Sequence, residues 1–147
     1  MDFDLAVKLS IYATIAETTK APTSAEVAKA LRTSVEAVEA AFARLQQKRL
    51  LVPEPGNLSQ IRMAPPFSGV ETPFRVKVRD KSHYANCVWD ALGIPAALHD
   101  DAVIEASDGH SAEPIILKVK NGRPMLQACV IHFAVPAARW WDDIVYT

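Results

Sequence analysis

The residues best suited to chemistry in this sequence are Cys87 and Asp90, in the run Asn86-Cys87-Val88-Trp89-Asp90. On a helix, residues three apart share a face, so the two side chains are neighbours. A negative neighbour raises a thiol's pKa, whereas a nucleophilic cysteine wants a cationic one. The pair therefore makes better sense as a soft ligand beside a proton shuttle. Sulfur selects soft metal ions, and the carboxylate takes up the displaced proton and returns it as a general acid. On spacing alone the same residues read more readily as a buried small cysteine and a capping or solvated aspartate, since C-x-x-D is common by chance. Cys129 is the only other cysteine. It sits in ACVIHFAV, residues 128–135, the most apolar candidate strand. There it shares a face with Ile131, Phe133 and Val135, as a core cysteine does, unless a bulge turns it toward Cys87. Two cysteines give neither a structural zinc site nor, in a reducing compartment, a disulfide. Among the four histidines, His83 reads as a loop residue and His132 as a strand residue near the site. Asp100-Asp101 and Asp142-Asp143 read as solvated turns or helix ends, because adjacent side chains point apart.

The elements that must position these residues fall into two halves. Leu5, Leu9, Tyr12 and Ala16 predict an amphipathic helix over residues 3–18. Thr23 and Glu26 form a capping box ahead of Val27, Ala30 and Leu31, and Thr33 and Glu36 repeat the signature. Val35, Val38, Phe42 and Leu45 line the third helix, which runs to about Lys48. Two short strands around the turn at 53–57 then make a wing. Residues 1–66 thus read as a winged helix-turn-helix-like module, with Pro65, Pro66, Ser68 and Gly69 marking the boundary. Residues 67–147 read as an α+β core with a small mixed β-sheet and short helices. Phe74, Val76 and Val78 alternate on one strand. Tyr84 to Leu92 is a helix stopped by Gly93 and Pro95. Val103–Glu105 and Ile115–Val119 are strands, Asn121-Gly122 is a turn, and Pro136 opens a last helix carrying Trp140 and Trp141.

Half of the 147 residues are hydrophobic and 22% are charged, the balance of a folded globular chain. The net charge of −1 gives no field favouring nucleic acid or an anionic membrane. Glu36 and Glu39 stand at the start of the would-be recognition helix, where base contacts are made, which argues against DNA. The acidic N-terminus is not a secretory signal, and no apolar run reaches the roughly 18 residues that span a bilayer. A cytoplasmic location is expected.

The stretch from Tyr84 to Leu98, YANCVWDALGIPAAL, resembles the active-site helix of the organomercurial (alkylmercury) lyases. Glu113-Pro114-Ile115, His132-Phe133, Trp140 and the helical first half follow the family in order, so the resemblance covers most of the chain. It implies protonolysis of a carbon–mercury bond, with Cys87 as first thiol and Asp90 as the carboxylate that handles the proton. It further implies a small organomercurial substrate, mercury held by thiolates as product, a thiol or other mercury acceptor for release, and no organic cofactor. The family's second catalytic cysteine precedes the His-Phe pair by four residues. Here that position is Ala128, and Cys129, the in-chain candidate for second catalytic thiol and mercury ligand, stands one residue later. Family members also generally continue beyond the equivalent of Thr147. A short or truncated member is expected, with a further soft ligand past Thr147 if an in-frame stop codon is read as selenocysteine. Two other readings stay open: a non-catalytic relative that binds a thiophilic metal, and a winged-helix regulator that answers metal on DNA.

Overall fold

A computed structural model describes residues 2–125 and 128–145 of the chain. Three helices come first: α1 (Phe3–Thr18), α2 (Ser24–Leu31) and α3 (Val35–Gln47). The capping box at the start of α2 forms as its sequence dictates. Thr23 accepts from the Glu26 backbone N–H, and the Glu26 carboxylate accepts from the Thr23 N–H. The second box does not form. Arg32 ends α2 in the left-handed conformation, the chain turns one residue later, and Ser34 caps α3 by accepting from Ala37 N–H.

The buried face of α1 also differs from the expected one. Val7, Ile11 and Ile15 face the core with Asp4, while Leu5 and Leu9 are about half exposed. Both faces of α1 are apolar, so periodicity could not choose between them. Tertiary contact does: Arg44 of α3 donates to both oxygens of Asp4 from Nε (3.0 and 3.1 Å), with Nη2 at 2.7 Å and Lys48 Nζ at 3.3 Å. That clamp turns the Asp4 stripe inward. Val38, Ala41, Phe42 and Leu45 of α3 meet it.

The helices pack on an antiparallel sheet of β1 (Val52–Glu54), β2 (Asn57–Ala64) and β3 (Phe67–Ser68), in that order. A second antiparallel sheet is built from β4 (Arg75–Val78), β5 (Lys81–Tyr84), β6 (Ala102–Ser107), β7 (Pro114–Lys120) and β8 (Arg123–Pro124), ordered β5-β4-β6-β7-β8. Asn121 and Gly122 both have positive φ at the β7–β8 turn, as an Asn-Gly hairpin requires. A bridge from Phe67 to Ala85 joins the sheets, and one hydrophobic core runs through both halves. Helix α4 (Val88–Leu98) crosses from β5 to β6 and packs Ala91, Ile94 and Pro95 inward.

The chain departs from its sequence reading in further places: the second sheet, expected to be mixed, is antiparallel throughout, because β5, β7 and β8 join by hairpins or returns rather than parallel crossovers. Tyr84 belongs to β5, so α4 starts at Val88, and it runs through Gly93 and Pro95 to Leu98. Residues 128–135 form no strand; they run irregularly along the surface, with Phe133 and Val135 half-buried. Residues Ala137–Asp142 form a 3-10 turn after Pro136. No helix among the described residues is long and apolar enough to cross a membrane.

Candidate functional site

Strand β5 ends at Tyr84, and the backbone of Cys87 is still extended (φ −153°, ψ 179°). Cys87 is therefore the N-cap of α4, and Asp90 is the third residue of the helix. The three-residue spacing keeps its meaning, because N-cap and N3 face each other across the first turn, as in a capping box. The Cys87 carbonyl accepts from Ala91 N–H at 2.9 Å, which fixes the turn. The helix start supplies partial positive charge at the sulfur.

Both groups are half-buried beside a cavity of about 660 Å³. Burial pushes the Cys87 thiol up, and the charge of Asp90 adds to this, while the backbone N–H groups of Asp90 and Trp89 pull it down. Burial likewise pushes the Asp90 carboxyl up, opposed by a hydrogen bond from Asn86. The thiol is thus held protonated until something displaces its proton, and the carboxyl has an enhanced capacity to carry one.

Asn86 was not singled out in the sequence. Its Nδ2 donates to Asp90 Oδ2 at 2.8 Å and to the Phe67 carbonyl at 3.3 Å. Its Oδ1 is buried without a hydrogen-bond partner. An orphaned acceptor of this kind costs about 1–3 kcal/mol. On the far side of the site, Tyr12 of α1 donates to the Pro65 carbonyl at 2.6 Å. Burial, with a smaller contribution from the charge of Asp90, pushes its phenol up to about 12. Tyr12 thus acts as a fixed donor.

The remaining walls are largely apolar. Met63, Pro65 and Phe74 come from the first sheet and the segment after it, and Trp89 from α4. His132, Phe133, Trp140, Trp141 and Ile144 come from the C-terminal segment. Phe133 packs against Trp140 (4.9 Å between ring centroids), and Trp140 Nε1 donates to the Val135 carbonyl at 2.8 Å. Arg49 reaches the rim with its guanidinium 5.8 Å from the Trp141 ring. These wall residues are scattered over the chain; of them the sequence marked His132, Phe133 and Trp140, through the resemblance, and Trp141 beside them.

Of the sequence candidates, Cys87 and Asp90 are brought together. Cys129 is exposed and lies outside the cavity walls. His132 borders the cavity, but from irregular chain. His83 is no loop residue. It sits in β5 opposite Val76, almost fully buried, with its ring 5.4 Å from Phe67. Burial, then Lys81, lowers its pKa and keeps it neutral. Among the described residues, no three His, Cys, Asp or Glu side chains gather as a metal site. The soft ligand expected past Thr147 lies outside the described residues.

A thiol on the N-cap residue of α4 and a carboxylate one turn on thus line one largely apolar cavity in a mixed helix-and-sheet fold. The family model for MerB, alkylmercury lyase, matches residues 67–147, more than half of the chain, and the chain belongs to that family. Its fold is similar to that of a solved structure described as the mercury-bound form of MerB2, with a TM-score of 0.70 and 20% identity over 87% of this chain. The match covers 61% of the MerB2 chain, so this protein spans under two thirds of that relative. No curated protein matches the chain.

Proposed function

We propose that this protein cleaves the carbon–mercury bond of a small organomercurial, with Cys87 capturing the metal and Asp90 delivering the proton. The observation that carries the reading is the placement of the only half-buried thiol next to a carboxyl whose affinity for protons is raised by burial, in one apolar cavity. Mercury displaces the proton of Cys87, because thiolate binds soft metal far more tightly than other protein ligands do. Asp90 takes that proton. It then returns it to the mercury-bound carbon, which leaves as a hydrocarbon with the electron pair of the broken bond. Mercury keeps its +2 charge throughout and stays on sulfur, so neither an oxidant nor an organic cofactor is required.

A second thiolate completes the coordination of the product ion. Cys129 is the in-chain candidate, and reaching the metal requires residues 128–135 to fold over the cavity mouth. A low-molecular-weight thiol from solution fills the same position without that motion and carries mercury away. Residues 1–66, a winged-helix-type module in this reading, serve as a packing wall: Tyr12, Met63 and Pro65 back the site, and Arg44 and Lys48 are engaged with Asp4.

The test is release of benzene from phenylmercury by the full chain in excess thiol, with stoichiometric mercury retention. Release above the thiol-only control is expected. Mercury binding with no release supports instead a metal-binding relative without catalysis.

A further inference from the structure

Resting on the lyase reading, we propose that Asn86 is a positioning residue for Asp90: its side-chain amide ties one carboxylate oxygen to the Phe67 carbonyl and leaves the other oxygen to the reacting group. Three observations carry this. Asn86 Nδ2 lies 2.8 Å from Asp90 Oδ2 and 3.3 Å from the Phe67 carbonyl. Both partners are acceptors, so only the NH₂ end can face them and the orientation of the amide is fixed. Meanwhile Asn86 Oδ1 stays buried with no partner. A side chain chosen for stability would not leave a buried acceptor unpaired; one retained to hold a neighbour would.

The hydrogen bond also links two elements. Phe67 belongs to β3, which bridges to Ala85 at the entrance to this segment. The amide therefore references the carboxylate of α4 to the sheet rather than to its own helix. With Oδ2 occupied, no described group binds Asp90 Oδ1. That oxygen is available to take the thiol proton and give it back.

The experiment compares wild type, Asn86→Ala and Asn86→Gln in the full chain. Capture of inorganic Hg(II) is titrated, and benzene release from bound phenylmercury is timed in single turnovers. Asn86→Ala should capture Hg(II) within about twofold of wild type yet release benzene slower by on the order of 100-fold, the cost of misaligning a reacting group. Asn86→Gln, which keeps the donor on a longer arm, should recover part of the rate. Wild-type release by Asn86→Ala, or a parallel loss of capture and release, overturns the proposal. Should wild type release no benzene, the lyase reading falls by itself. The positioning role is then decided by a crystal structure of Asn86→Ala: a displaced Asp90 carboxylate upholds it, and an unmoved one overturns it.

Discussion

Burial raises the proton affinity of Cys87 and Asp90 together, and in the proposed reaction the two groups divide the work by softness. Serine at position 87 keeps the shape but replaces sulfur with a hard oxygen of poor affinity for mercury. In a Cys129→Ser background, which removes the exposed thiol, Cys87→Ser should abolish one-to-one Hg(II) binding. Tight binding that persists would remove Cys87 from the site. Asp90→Asn keeps the size and loses the transferable proton. It should leave capture intact and slow benzene release by roughly 10²–10⁴-fold, the range for a lost general acid; stopped-flow capture and headspace hydrocarbon measurement separate the two. The Cys87–Asp90 pair was legible because capping geometry preserves the three-residue relation even outside a helix. The contacts of Asn86 were not, since they depend on where the Phe67 carbonyl arrives from another strand.

At the scale of elements, those with an apolar face of their own were legible and those held only by their partners were not. The alternation of Val76 and Val78, the β7 run and the helices were legible because each buries a face of its own. Strands β3, β5 and β8 have two to four residues and exist through their partners, so nothing local announces them. Gly93 and Pro95 failed as helix stops for physical reasons. A Cβ at Gly93 would lie 3.1 Å from Pro66 Cβ, so the glycine serves close packing of α4. The carbonyl of Pro95 still accepts from His99 and Asp100 N–H, which closes the helix normally. The apolar run at 128–135 misled because only its second half, from His132 to Val135, meets the protein, as a cavity wall, while Val130 and Ile131 stay exposed. Gly69 marks the tightest junction. Its N–H donates to the Arg62 carbonyl at 2.8 Å, and a Cβ there would fall 1.9 Å from Ile61 O. Only backbone movement relieves such a clash. Gly69→Ala should lower unfolding free energy by about 3 kcal/mol, read from urea midpoints at unchanged slope. A midpoint equal to wild type would show that β2 gives way freely there.

Across the whole molecule, α1 is tied to α3 by one acidic residue meeting two cations. Asp4 is almost fully buried, Arg44 grips both its oxygens, and Lys48 adds a weaker contact. The Arg44 hydrogen bonds hold the Asp4 carboxyl below its ordinary value of 3.8, against the opposing effect of burial. A carboxyl depressed in the folded state contributes stability that is complete above its unfolded pKa and is lost as pH falls through the folded one. Glu26 and Asp108 are depressed too, by their own backbone hydrogen bonds, so acid sensitivity of the wild type alone cannot isolate the clamp. Subtraction does. Asp4→Asn removes the charge, keeps the volume and leaves the other carboxyls as they were. At neutral pH the variant should melt lower by on the order of 5 °C. The gap should narrow as pH drops below about 4, where Asp4 of the unfolded chain begins to take up its proton while the folded one still holds its charge. It should also shrink only modestly in high salt, since a pair with one partner buried is screened less than a surface pair. A gap that stays constant from neutrality into acid would mean that packing of the Asp4 side chain, and not its charge, turns this face of α1 toward the core.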